Sequence, residues 1–141
     1  GAFNTTERKH ADILISIGDI KLTFRWAPLA VDQLNVLKEL NEASDSKSDS
    51  TTDLVVIGGG TWDRLHVYST DEDQESHRST VKQLTKEITM SNNIGSPVAW
   101  MIPTSINTAA LNTEEKRDHM KEDDMEAMRT VYAALGVLSS S

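Results

Sequence analysis

Cysteine is absent from the 141 residues. That absence removes a disulfide framework, a thiol nucleophile and every Cys-ligated zinc or iron–sulfur site. It leaves the compartment open, because secreted domains of this size also fold without disulfides. Long apolar runs are missing too, and none approaches the ~20 residues that span a bilayer. Gly1 to His10 is polar and has no apolar signal-peptide core. Positive charge is scarce: 14 Lys+Arg face 22 Asp+Glu, for a net charge of −8. Nucleic acid and anionic membranes are bound by clustered cations, so this balance argues against both. The hydrophobic share, 38%, is low for a globular domain and too high for a disordered one. Residues 1–141 therefore read as one acidic domain of ordinary size, or as part of a larger one.

What is present is patterned. Ile13, Ile15 and Ile17 alternate with Leu14 and Ser16, and Leu22, Phe24 and Trp26 alternate with Lys21, Thr23 and Arg25. Period-two apolarity on both sides of Gly18-Asp19 predicts a β-hairpin closed before Pro28. Val31, Leu34, Leu37 (or Val36) and Leu40 then recur at helical spacing. Ser44 to Thr52, SDSKSDSTT, has no apolar residue and reads as a solvated, mobile loop. Leu54-Val55-Val56-Ile57 is a continuous β-branched run, the pattern of a strand covered on both faces. Asp71 to Glu75 is acidic, a loop or a helix N-terminus, and Val81, Leu84 and Ile88 mark a helix over 79–90. A second continuous run, Val98 to Ile102, stops at Pro103. Asn112 with Glu115 has the spacing of a capping box. Met125, Met128, Val131 or Tyr132, Leu135 and Leu138 form the stripe of a last helix. Strands alternating with helices in this order predict an α/β chain with a mostly parallel sheet in a three-layer α/β/α sandwich, complete or incomplete.

In such a fold the chemistry lies beyond the carboxyl ends of the strands. Gly58-Gly59-Gly60-Thr61-Trp62 stands there. Three glycines let backbone N–H groups approach a ligand closely, as a phosphate cradle or an oxyanion hole does; the plain alternative is a tight turn. No Lys-Ser/Thr follows to make a phosphate-binding loop, and the dinucleotide spacing lacks its third glycine. Gly18-Asp19 is followed by Ile20 where a hydrolase serine would stand, so it is a turn. His66, four residues after Trp62, is a candidate proton carrier; exposed loop or helix histidine is the simpler reading. His77 and His119 lie in charged stretches and are expected to be solvated. Asp71-Glu72-Asp73 and Glu122-Asp123-Asp124 lack the spacing of a calcium loop, so no metal site is expected. Asn4-Thr5-Thr6 is a glycosylation sequon. Trp26 and Trp100 are expected in strands, facing the core.

Three segments carry a resemblance. Leu22 to Pro28 ends in Trp-Ala-Pro, Leu54 to Trp62 closes a buried strand in small residues and Thr-Trp, and Val98 to Pro103 precedes a charged helix ending Tyr-Ala-Ala. Together they resemble the SGNH/GDSL-like lumenal domain of the capsule-type polysaccharide and sialic-acid O-acetyltransferases, related to the PC-esterases. The resemblance implies an SGNH-like α/β/α fold. It also implies transfer or removal of acetyl groups on sugar hydroxyls through an acyl-serine, with acetyl-CoA or an acetylated carrier as donor and no resident cofactor. It further implies a Golgi or secretory location, and a cleft lined by Gly58, Gly59, Gly60, Thr61 and Trp62. Such domains carry the serine in Gly-Asp-Ser on the first strand and an Asp-x-x-His near the C-terminus. Both blocks are read as absent from the 141 residues, so the chain reads as an internal piece without the catalytic serine or its base. The alternatives are a noncatalytic ligand- or partner-binding α/β domain and, third, a nucleotide-binding fold.

Overall fold

The computed structural model describes residues 10–45, 52–67 and 70–137. The chain is mixed α/β, with two separate two-stranded sheets. Asn4, Leu138 and residues 46–51 of the Ser/Asp-rich segment lie outside the described residues; Ser44 and Asp45 close a helix.

β1 (Ile13–Ile17) and β2 (Ile20–Phe24) form the antiparallel hairpin, with Ile17 opposite Ile20 across Gly18-Asp19. Gly18 has φ +56°, a conformation that costs glycine nothing and that short hairpin turns demand. The pairing Ile13–Phe24, Ile15–Leu22 and Ile17–Ile20 puts six apolar side chains on one face. All of them are between 41% and 71% exposed. Trp26 lies just past β2, half-buried, where its N–H donates to Asp12 Oδ1 at 2.8 Å. Arg25 ties this end of the hairpin to the body through Asp12 and Glu39.

α1 (Ala30–Asp45) packs on α3 (Asp71–Asn93). The buried stripe of α1 is Ala30, Leu34, Leu37 and Asn41, whereas Val31 faces out. On α3 the stripe runs His77, Val81, Leu84, Ile88 and Ser91. The two helices are also joined by polar groups: Asn41 Nδ2 donates to the Glu87 carbonyl and carboxylate, and Ser91 Oγ donates to Asn41 Oδ1 at 2.6 Å. α3 starts two turns earlier than the apolar pattern predicts. Thr70 and Asp73 form a capping box, and Asp71, Glu72 and Asp73 complement the positive end of the helix dipole.

β3 (Val55–Gly58) and β4 (Val98–Met101) form a parallel pair. Val55, Ile57, Val98 and Trp100 face the helices; Val56, Gly58, Ala99 and Met101 are exposed on the other face. The expected last helix is two. Thr113, not Asn112, caps α4 (Glu114–His119), and α5 (Glu122–Ala134) begins after Met120-Lys121. The break has a physical cause: Met120 turns into the core at 6% exposure, and its carbonyl accepts from Thr108 Oγ1. α5 then buries Met125, Met128, Val131 and Tyr132. No helix of the described residues is long and apolar enough to cross a membrane.

Candidate functional site

The glycine run leaves β3 and caps α2 (Thr61–His66), with Gly60 at φ +106°. A side chain there is strained whatever the space around it. The space is also taken. A Cβ on Gly59 would stand 2.3 Å from Gln33 Nε2, and one on Gly60 would stand 3.2 Å from Met128 Sδ and from Pro103 Cγ. On Gly58 it would meet Met101 Cε at 3.0 Å. The close backbone approach that the three glycines permit is thus filled by the protein's own side chains. Gln33 uses it to bind both strand ends: its Nε2 donates to the carbonyls of Ala27, at 3.1 Å, and Gly58, at 3.2 Å. The segment that follows β2 and the tip of β3 therefore converge on one amide, although the strands belong to different sheets.

Thr61 is half-buried and Trp62 is 39% exposed. Trp62 meets Trp26 edge-on at 5.8 Å between ring centroids, and His66 lies 5.0 Å from it at a 32° tilt. His10 lies 4.5 Å from Trp26. The candidate residues Trp62 and His66 thus belong to one exposed aromatic patch at the carboxyl ends of β2 and β3. His66 faces out on α2. A separate shallow groove of about 270 Å³ follows β4, lined by Trp100, Pro103, Arg129, Tyr132 and Ala133 among others. Arg129 is engaged there by Glu122 and Glu126.

Beneath the glycine turn lies a cluster that the sequence reading missed. Asp63 of α2, His77 of α3 and Tyr132 of α5 are 2%, 4% and 1% exposed. His77 is therefore buried, not solvated. The stripe Val81, Leu84, Ile88 points to it four residues earlier, a signal obscured by the charges around it. The spacing Asp63 to His66 is an Asp-x-x-His, also passed over. Its two side chains part company, Asp63 into the core and His66 outward beside Trp62, so they form no base pair for a nucleophile.

Both Asp63 oxygens accept from the Ala30 N–H at 3.1 Å, which caps the start of α1 from another element. Asp63 Oδ1 stands 3.8 Å from His77 Nε2, which is 3.2 Å from the Tyr132 hydroxyl. Burial pushes the Asp63 carboxyl up to about 6, against the opposing pull of the Ala30 N–H and its own backbone N–H; Asp32 adds to the rise. Burial, with the Arg78 charge, pushes His77 down to about 4. The cluster is enclosed and joins α1, α2, α3 and α5.

The acidic runs that raised the question of a cation serve as helix starts. Glu122 accepts from the Ile106 N–H and pairs with Arg129, and Asp124 pairs with Arg64 at 3.0 Å. Among the described residues no group of three or more His, Asp or Glu is placed to hold a metal. No family model, curated protein or solved structure matches this chain.

Proposed function

We propose that the chain is part of a three-layer, SGNH-like α/β/α domain of a carbohydrate O-acetyltransferase or acetylesterase. In this reading the catalytic serine and the Asp-x-x-His that follows the last strand come from polypeptide outside these 141 residues. The observation that carries it is the half-covered parallel pair. Parallel strands with continuous apolar runs are normally covered by helices on both faces. Here Val56, Ala99 and Met101 are bare opposite the helical face, and the outer edges of β2 and β3 have no strand partner among the described residues. The resemblance in Leu22–Pro28, Leu54–Trp62 and Val98–Pro103 supplies the chemistry. Serine Oγ attacks the acetyl carbonyl of acetyl-CoA, the thiolate leaves with a proton, and the acetyl group passes to a sugar hydroxyl. Gly58 to Trp62 would line the cleft, with Trp62 against the sugar, in a Golgi or secretory compartment.

The test is turnover of p-nitrophenyl acetate, first by these 141 residues and then by a polypeptide extended through the flanking coding sequence. The short chain is expected to be inactive. The extended one is expected to carry both motifs and to lose activity on replacement of its serine by alanine. Serine-dependent turnover by the 141 residues alone, or flanks without either motif, would overturn the reading. The exposed apolar face of the hairpin favours a second reading, a noncatalytic partner-binding domain, which the same flanking sequence separates from the first.

A further inference from the structure

We propose that Asp63, His77 and Tyr132 form a protonation-dependent latch that sets the position of the Gly58–Trp62 turn between α1 and α3. The latch rests on the function proposed above only for its consequence, namely that a cleft lined by this turn would respond to pH. Its geometry stands by itself.

Three elements meet at one buried carboxyl. Asp63 is the third residue of α2, one position after Trp62, so the partners its side chain holds anchor the end of the glycine turn. As a carboxylate it accepts the Ala30 N–H with both oxygens, tying α2 to the start of α1. His77 Nε2 then has Tyr132 as its near partner, at 3.2 Å, with Asp63 0.6 Å farther off. One proton from solvent changes this pattern. A carboxylic acid keeps one carbonyl oxygen as acceptor and gains an O–H donor. In the latch His77 is the Nδ1–H tautomer, so that its Nε2 is the acceptor nearest that donor, and the acid O–H competes for the Nε2 lone pair with the Tyr132 hydroxyl. Protonation thus weakens the tie to α1 and creates one to α3, a two-state exchange and not a graded loosening.

The charged groups that the described residues bring to the cluster come from four helices. α1 presents Asp32, whose negative charge opposes ionisation of Asp63. On α2 the neighbouring charge is Arg64, held by Asp124 of α5. α3 brings Arg78, which disfavours a charged His77. α5 contributes the Tyr132 hydroxyl, 3.2 Å from His77 Nε2. With the carboxyl raised to about 6 and the imidazole lowered to about 4, both groups are uncharged between those values. Above about 6 the carboxylate alone carries charge.

The latch is tested by NMR titration of the whole chain from pH 4.5 to 8, following the Asp63 carboxyl carbon, the His77 ring and the Trp62 indole. All three are expected to move with a common midpoint near 6, the His77 ring keeping the shifts of a neutral imidazole. Asp63→Asn should abolish the step at His77 and Trp62. Tyr132→Phe, which removes the competing hydroxyl and keeps the ring, should preserve the step and move its midpoint upward. A Trp62 signal that ignores the Asp63 midpoint overturns the latch. So does a His77 ring that itself becomes charged near its usual value, or a step that survives in Asp63→Asn. If Asp63→Asn fails to fold, Tyr132→Phe alone decides: an unmoved midpoint is fatal to the idea. No readout involves acetyl transfer, so failure here is separate from failure of the proposed function.

Discussion

In the helical stack, Leu37, Val81, Leu84 and Ile88 are completely buried, whereas in the hairpin every residue of both strands is exposed. Both regions carry well-formed apolar patterns. The stack satisfies its pattern because α1 and α3 offer each other complementary stripes, with Met128 and Tyr132 of α5 completing the same core. The hairpin has an equally regular face, Ile13, Ile15, Ile17, Ile20, Leu22 and Phe24, with no element packed on it among the described residues. A two-stranded ribbon is marginal in water, and this one leaves its apolar face exposed. Periodicity therefore reports which face seeks burial, and only the rest of the assembly reports whether it is met.

The contrast can be broken by substitution. Leu84→Ala in the stack is expected to cost about 2–5 kcal/mol, the transfer term plus a cavity, read as a lowered urea midpoint. The buried Asp63–His77 pair should come next, with opposite signs. The raised Asp63 value favours the fold at low pH, and that contribution fades as pH rises from about 4 to about 6. His77, lowered to about 4, favours the fold above its ordinary 6.5 and loses that contribution as pH falls. In the parent chain the two nearly cancel. His77→Gln should then show stability falling by roughly 3 kcal/mol from pH 4 to 6, and Asp63→Asn should show it rising by a similar amount to pH 6.5. A flat profile in both variants would mean that the pair is hydrated in solution. Gly60→Ala, with φ +106° and a Cβ against Met128 and Pro103, should cost about 1–3 kcal/mol. Smallest is Ile15→Ser on the hairpin, expected within about 0.5 kcal/mol by the same urea measurement. A loss comparable to Leu84→Ala would show that the hairpin face is covered in solution, and the contrast would vanish.

Much of the chain is legible from local pattern. The hairpin turn at Gly18-Asp19, the stripe of α1 and the two continuous apolar runs all follow from short-range pattern. The missed parts share a cause. The first two turns of α3 are polar because capping carboxylates belong there, so apolar periodicity starts too late. α4 and α5 separate because Met120 is drawn into the core, a contact with no sequence signature. His77 sits among charges and is buried nonetheless, since helical geometry places it on the face of Val81 and Leu84. Trp26 falls beyond its expected strand because Asp12 takes its N–H.

The glycine run shows the division most clearly. From sequence it follows that backbone after β3 can be approached closely, because three residues without Cβ leave room that no other residue leaves. What approaches was decided by the tertiary structure: Gln33, Met128, Pro103 and Tyr132 come from three other parts of the chain and fill that room. Likewise, composition and periodicity determined an acidic α/β chain with a hairpin and amphipathic helices, since those depend on neighbours three or four residues away. The burial of Asp63 beside His77, and the exposure of the hairpin's apolar face, depend on elements tens of residues apart. Electrostatic energies and burial depend on distance in space, and only the folded chain fixes those distances.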